Sequence, residues 1–252
     1  MAYLSLKKYA FALLTALSCA GIVSAQQGKE DARAFLIKAQ KAYRESSYLG
    51  FKVKYLYSNA GDGVKPMDSL AGEIQMDKDR CRMVLDGTET IVTGRYLIQV
   101  MEEDKSMYLS RPGKAIPMSP VQLMDTVFRQ LDGIRTDVTT EGRRTILTLQ
   151  FPPGKMYTRI RMVMDTATGY FQQITYGVLT AGLVGQDQVE RPGHPGPYSK
   201  EGRIDMVFSN YEKGRFDDAL FDEVNFFTRA SGRYLPAARY RDYHIFLASS
   251  NL

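Results

Sequence analysis

The 252-residue chain carries 33 Lys and Arg against 28 Asp and Glu, a formal net charge of +5. That excess is mild, and no basic cluster is interleaved with aromatics, so a nucleic-acid-binding stripe is excluded. Beyond residue 25 no run is apolar enough for a membrane-spanning helix. Only Cys81 remains there, which excludes an intramolecular disulfide framework.

The N-terminus reads as an export signal. Lys7 and Lys8 give a positive start, and Tyr9 to Val23 is mostly apolar but short for a bilayer span. Val23-Ser24-Ala25 is a small-residue cleavage site before Gln26. A retained membrane anchor is one alternative. Acylation at Cys19 is another, although Ala16-Leu17-Ser18 lacks the aliphatic residue usual three positions before a lipidated cysteine. With residues 1–25 removed, residues 26–252 are expected to form one periplasmic domain. It is held by core burial alone, and Cys81 is expected to be a small buried hydrophobe.

Glu30 to Ser46 has the period of an amphipathic helix. Ala32, Phe35, Leu36, Ala39, Ala42 and Tyr43 share one face; Arg33, Lys38, Lys41 and Arg44 lie largely opposite. After Gly50 the period becomes two. Phe51, Val53, Tyr55 and Tyr57 alternate with lysines; Leu70, Ile74 and Met76 share a face; Cys81, Met83 and Leu85 follow. Asp86-Gly87 signals a hairpin. Tyr96, Ile98 and Val100 lead to a turn at Glu102-Glu103-Asp104-Lys105, and Met107 to Ser110 returns. Such alternation predicts one buried and one wet face per strand.

Ser119 to Ile134 reads as a second helix. Ser119 is its N-cap, Pro120 takes the first position, and Met124, Val127, Phe128 and Leu131 form its apolar stripe. Strands resume at Arg144 to Phe151, and Pro152-Pro153-Gly154 is a turn. Ile160, Met162 and Met164 share a face before the hairpin turn Asp165-Thr166-Ala167-Thr168-Gly169, and Tyr170 to Thr180 follows. Residues 181–202 are a Gly/Pro-rich loop insertion. Ile204, Met206 and Phe208 form another strand; strand-like patches follow at Val224 to Phe227 and, within the C-terminal extension 228–252, at Tyr243 to Leu247. The fold expected is mainly β within the α+β class: a single curled antiparallel sheet, an unclosed half-barrel with helices covering the concave face.

The residues carry little chemistry. His194 and His244 have no ligands at metal spacing. No nucleophile elbow or phosphate loop occurs. Glu102/Glu103 reads as a solvated hairpin tip, and Asp217 and Asp218 as turn and cap residues. Adjacent carboxylates such as Asp222/Glu223 do not face each other across a cleft. No catalytic residue, cofactor or metal is expected. The apolar face is rich in methionine, with Met76, Met83, Met107, Met156, Met162, Met164 and Met206 on strands. These side chains either fill a core or line a deformable cavity for acyl chains. In the second case the cavity residues are Met83, Ile98, Met124, Val127, Phe128, Leu131, Met162 and Met206.

Four stretches in order, "GEIQMDKDRCRM" (Gly72 to Met83), "IVTGRYLIQVMEEDKSMYL" (Ile91 to Leu109), "RIRMVMDTATGYFQQI" (Arg159 to Ile174) and "RIDMVFSNYEKGRFDDALF" (Arg203 to Phe221), resemble the periplasmic lipoprotein carriers of the LolA type. The likeness spans about residues 30–228. It implies a half-barrel plugged by helices that carries the acyl chains of lipoproteins, or lipid, toward the outer membrane. The same fold with a filled core would serve as an envelope sensor or assembly component. In the family an Arg-Pro after the early strand helps control release; here Lys78-Asp79 stands nearby, with Arg80 next. The loop at 181–202 and the tail are additions. The tail is basic and aromatic, which suits an envelope protein partner or an edge strand with a frayed end.

Overall fold

A computed structural model describes residues 28–60, 66–112, 133–184, 189, 196–249 and 252. Helix α1 spans 28–44, close to the expected Glu30 to Ser46. Six strands follow as a meander: β1 (Tyr48–Asn59), β2 (Asp68–Asp77), β3 (Arg80–Leu85), β4 (Thr88–Val92), β5 (Leu97–Met101) and β6 (Ser106–Ser110). A second run comprises β7 (Arg135–Glu141), β8 (Arg144–Gln150), β9 (Tyr157–Asp165), β10 (Phe171–Leu179) and β11 (Glu201–Glu212). After it come the hairpin β12 (Phe227–Ala230) and β13 (Arg233–Pro236), and then β14 (His244–Leu247). The helix expected at Ser119 to Ile134 lies, up to residue 132, outside the described residues.

Strand β11 pairs antiparallel with β1, so the two meanders join into one 12-stranded sheet. Its order runs from β14 through β6 to β1, then from β11 to β7, and the two ends do not meet. The sheet is curled, unclosed and antiparallel except for β14, which lies parallel to β6. Asp86 and Gly87 both take positive φ (46° and 73°), the mirror-image turn whose twist matches a two-residue hairpin.

Cross-strand register defines the concave face. Phe51, Ile74 and Met83 sit opposite one another across β1, β2 and β3. Met206, Ile174, Met162 and Leu147 do the same across β11, β10, β9 and β8. Ala32, Phe35, Leu36, Ala39 and Tyr43 of α1 are buried in the same cluster. The helix thus inserts its apolar stripe into one end of the half-barrel.

Hydroxyl groups decide how α1 is held. Tyr211 donates to the Phe171 carbonyl at 2.8 Å, which uses its only hydrogen. The 2.7 Å contact between the Tyr43 and Tyr211 hydroxyls is therefore donated by Tyr43. Tyr43 in turn accepts from the Phe171 N–H at 3.3 Å, closing a ring of three bonds between helix, β10 and β11. Tyr170 stacks on Tyr211 with centroids 4.6 Å apart and bonds Ser46 at 2.6 Å.

The β9–β10 hairpin is the seat of the helix. The Asp165 carboxylate accepts from Thr168 N (2.9 Å), Ala167 N (3.0 Å) and Thr168 Oγ1 (3.1 Å); these bonds, the Thr168 amide foremost, hold its pKa below the usual carboxylate value. Gly169 has φ +76°, and a Cβ there would stand 2.8 Å from Ala42 Cβ, so helix and turn touch only because this residue has no side chain. Lys38 donates to the Thr166 carbonyl at 2.6 Å across the same contact.

Gly169→Ala is expected to cost about 1–3 kcal/mol, from the unfavourable φ and the displaced helix, in denaturant unfolding. Tyr43→Phe should cost about 1–3 kcal/mol by orphaning the Phe171 N–H. Burial raises the Tyr43 and Tyr211 hydroxyls above their ordinary value of 10.0. Their contribution is therefore complete below pH 10 and is lost as pH rises, because the unfolded chain ionises first. A pH titration of the unfolding midpoint should fall above about pH 10 in the parent, and less steeply in Tyr43→Phe.

Candidate functional site

The concave face changes character along its length. Near α1 it is closed: Phe51 is 3% exposed and Met162 0%. Toward the far ends of β1, β2, β10 and β11 it opens. Tyr55, Tyr57, Tyr176, Ile204 and Met206 are half-buried, and Leu70 is 36% exposed. Register brings these together: Tyr55 faces Leu70 on one side and Met206 on the other, while Tyr57 and Tyr176 flank Ile204. The Tyr157 and Tyr176 rings are 5.8 Å apart. Burial pushes the Tyr55 hydroxyl pKa up to about 12, and burial likewise raises that of Tyr176.

Of the residues expected to line a cavity, three lie on this face. Met83 and Met162 belong to the closed core beneath α1, and Met206 packs at its open margin. Met124, Val127, Phe128 and Leu131 lie outside the described residues. Ile98 is elsewhere. It pairs with Ile91, whereas its neighbour Leu97 pairs with Val92 and through it continues the row of Cys81 and Met76. Ile98 therefore points from the convex side, opposite to Met83.

That convex side is not wet. Ile91, Ile98, Val100, Met107 and Leu109 form a second buried cluster with Phe221, Phe226, Phe227, Tyr240 and Tyr243. After β11 the chain crosses to the outer face and covers β4 to β6, so the C-terminal extension is a second cover of the sheet. Val224 lies in a one-turn 3-10 segment, Glu223–Asn225, and the strand begins only at Phe227. The expectation of an edge strand holds for β14 alone, where Phe246 stacks on Tyr108 at 5.1 Å and Leu247 is 54% exposed. The signal missed is two-sided apolarity: "LIQVM" has apolar residues on both faces, which requires a cover on each.

Charged residues stitch this cover down. Arg80 pairs with Asp77 at the end of β2 and with Asp218 at 2.7 Å, and its guanidinium lies 4.6 Å from the Phe221 ring centre. It is committed to the C-terminal segment, and Lys78 occupies the β2–β3 turn with φ 54°. Glu223 accepts from Thr93 Oγ1 at 2.8 Å and pairs with Arg95 at 2.6 Å. The Tyr240 hydroxyl donates to Glu89 at 3.3 Å, and Glu89 is held by Arg82 at 2.6 Å. Asp217 and Asp222 cap short 3-10 turns by accepting from Ala219 N and Val224 N. Glu102 and Glu103 are exposed at the hairpin tip.

Cys81 is buried, and burial pushes its thiol up to about 12, so it packs as a small hydrophobe. His244 is exposed at the start of β14, and His194 lies outside the described residues. Among the described residues no group of three His, Cys, Asp or Glu could hold a metal ion, and no helix is long and apolar enough to cross a membrane.

No protein-family model matches the sequence, and no curated protein matches it. Solved structures are similar in chain path. An uncharacterized conserved protein from Thermus thermophilus is similar over 86% of this chain and 99% of its own, at 9% identity and a TM-score of 0.47. A LolA superfamily protein from Nitrosomonas europaea is similar over 76% of this chain and 97% of its own, at 9% identity and a TM-score of 0.33. The MucA/MucB complex of Pseudomonas aeruginosa has a chain similar over 82% of this one and 63% of its own, at 13% identity and a TM-score of 0.41.

Phe226 is 1% exposed and stacks on Tyr240 at 5.9 Å. Phe226→Ala should cost about 3–5 kcal/mol in denaturant unfolding. Limited proteolysis of that variant should cut first within residues 222–249, leaving the α1-covered core intact.

Proposed function

We propose that this protein is a non-enzymatic periplasmic carrier of the LolA type that holds acyl chains of lipoproteins or lipids for transport toward the outer membrane. One observation carries the reading: the concave apolar face continues past the end that α1 closes, from Met162 to Met206 and Leu70, and becomes accessible there. An acyl chain laid along it meets apolar side chains on both flanks, at about 0.8 kcal/mol per buried methylene. Methionine at the margin adapts to chains of different shape. The carboxylates support a role without catalysis, since Asp217, Asp222 and Glu223 are committed to turns and ion pairs. Met83 and Met162 support the floor of this site rather than its lining.

A second reading has its own support. The aromatic cluster of Tyr43, Phe51, Tyr170, Phe171, Phe208 and Tyr211 packs ring against ring at the α1 end, as in an envelope interaction module with a filled core. The exposed arginines Arg229, Arg233, Arg239 and Arg241 would then be its contact with a protein partner.

Displacement of a bound apolar fluorescent dye by an acyl ester separates the two. The carrier reading expects saturable binding that Met206→Glu weakens at least tenfold, with unfolding little changed because Met206 is already half-buried. Absence of binding by the folded parent removes the carrier reading and leaves the interaction module. Export is tested separately: the mature protein should begin at Gln26, and an acylated Cys19 at its N-terminus would contradict a freely diffusing carrier.

A further inference from the structure

Tyr55 stands between Leu70 and Met206 on the part of the concave face beyond α1, and its hydroxyl oxygen is buried with no hydrogen-bond partner among the described residues. The neighbouring Tyr57 differs, because its hydroxyl lies 3.5 Å from Thr180 Oγ1 and its ring 5.8 Å from that of Tyr198. A buried hydroxyl left unpaired costs free energy that a phenylalanine at the same position would not. Packing therefore gives no reason for a tyrosine here. The Tyr157 and Tyr176 rings wall the same region, and Leu70, Ile204 and Met206 line it with hydrocarbon.

We propose that the Tyr55 hydroxyl is a specificity group that donates a hydrogen bond to the carbonyl oxygen of an acyl ester, so that the site takes esterified acyl chains in preference to bare hydrocarbon. The inference rests on the carrier reading and adds the ligand's chemical class to it. An ester oxygen is an acceptor without a hydrogen of its own, and tyrosine supplies a single donor on a rigid ring. The alkyl part then lies against Met206, Ile204 and Leu70 while the ester is held at a fixed depth in the half-barrel. A free carboxylate offers the same acceptor but brings a charge onto an apolar face, which burial disfavours. An ester is therefore the better fit.

The test compares methyl palmitate with hexadecane as competitors for an apolar fluorescent dye on the parent protein and on Tyr55→Phe. In the parent the ester should bind about tenfold more tightly than the alkane, the factor that one hydrogen bond of about 1.4 kcal/mol supplies. Tyr55→Phe should erase that preference and leave hexadecane binding unchanged. Equal affinity for both ligands in the parent, or an equal loss of both in the variant, overturns the inference while the carrier reading stands. If neither ligand nor dye binds the folded parent, both fall together. Thermal unfolding of the free proteins is a second measurement. Removing an orphaned hydroxyl should leave the Tm of Tyr55→Phe equal to or above that of the parent, and a drop of several degrees would show a partner in the free protein and reject the assignment.

Discussion

The pairing of β1 with β11 is the contact on which the rest of the structure depends. It runs from Asn59 against Gly202 to Gly50 against Glu212, and it joins segments about 150 residues apart in sequence. Without it the chain would hold two separate meanders, each with an apolar face too narrow to be covered. With it, Val53 meets Phe208 and Tyr55 meets Met206, and the methionines of both halves come to share one surface. Such a non-local ladder requires the closing of a long loop before its contacts form, so it is the slow part of folding. Helix α1 reinforces it from above, since Tyr43 and Tyr211 link the helix to β11 and Phe171 brings in β10.

An unclosed sheet of this length has two faces and two edges to manage. The α1 end of the concave face is filled by aromatics in edge and tilted contact, Tyr43 against Phe51 and Phe51 against Tyr211 among them. Among the described residues the C-terminal segment covers the convex face over β4 to β6. Elsewhere it carries polar groups that satisfy one another, beside the buried pair Ile146 and Val163. Asp205 accepts from Gln173 at 2.8 Å and Thr175 at 2.6 Å and pairs with Arg203; burial opposes its ionisation, but these partners outweigh it and keep the carboxyl below its usual range. The edges differ as well. Strand β7 shows Arg135, Asp137 and Glu141, charges that discourage further pairing, whereas β14 shows Phe246 and Leu247.

The arginine near the early strands illustrates how tertiary context assigns a role. Placement in sequence puts Arg80 close to where the LolA-type carriers have a release residue. In the fold its guanidinium bridges Asp77 and Asp218 beside Phe221, so it anchors the outer cover to the β2–β3 corner. One guanidinium nitrogen held between two carboxylates is a clamp.

Much was determined by the sequence itself. The period of 3.6 in residues 32–43 specified α1 and its buried stripe. The period of two specified most strands of the sheet, Asp86-Gly87 and Asp165 to Gly169 specified their turns, and Cys81 was recognisable as a core residue. These features are legible because they depend on neighbours within a few residues. The side of the sheet on which a strand's apolar residues lie is not local. Tyr96, Ile98 and Val100 were correctly grouped, but with Leu97 and Met101 apolar on the opposite side, either face could have been the concave one. Only the register to β4, and the return of Phe226 and Tyr240 from more than 100 residues away, put Ile98 on the convex face. The orphaned hydroxyl of Tyr55 was likewise invisible. Alternation places its ring on the inner face, but whether its oxygen meets water, a partner or neither is decided by packing from β2, β10 and β11.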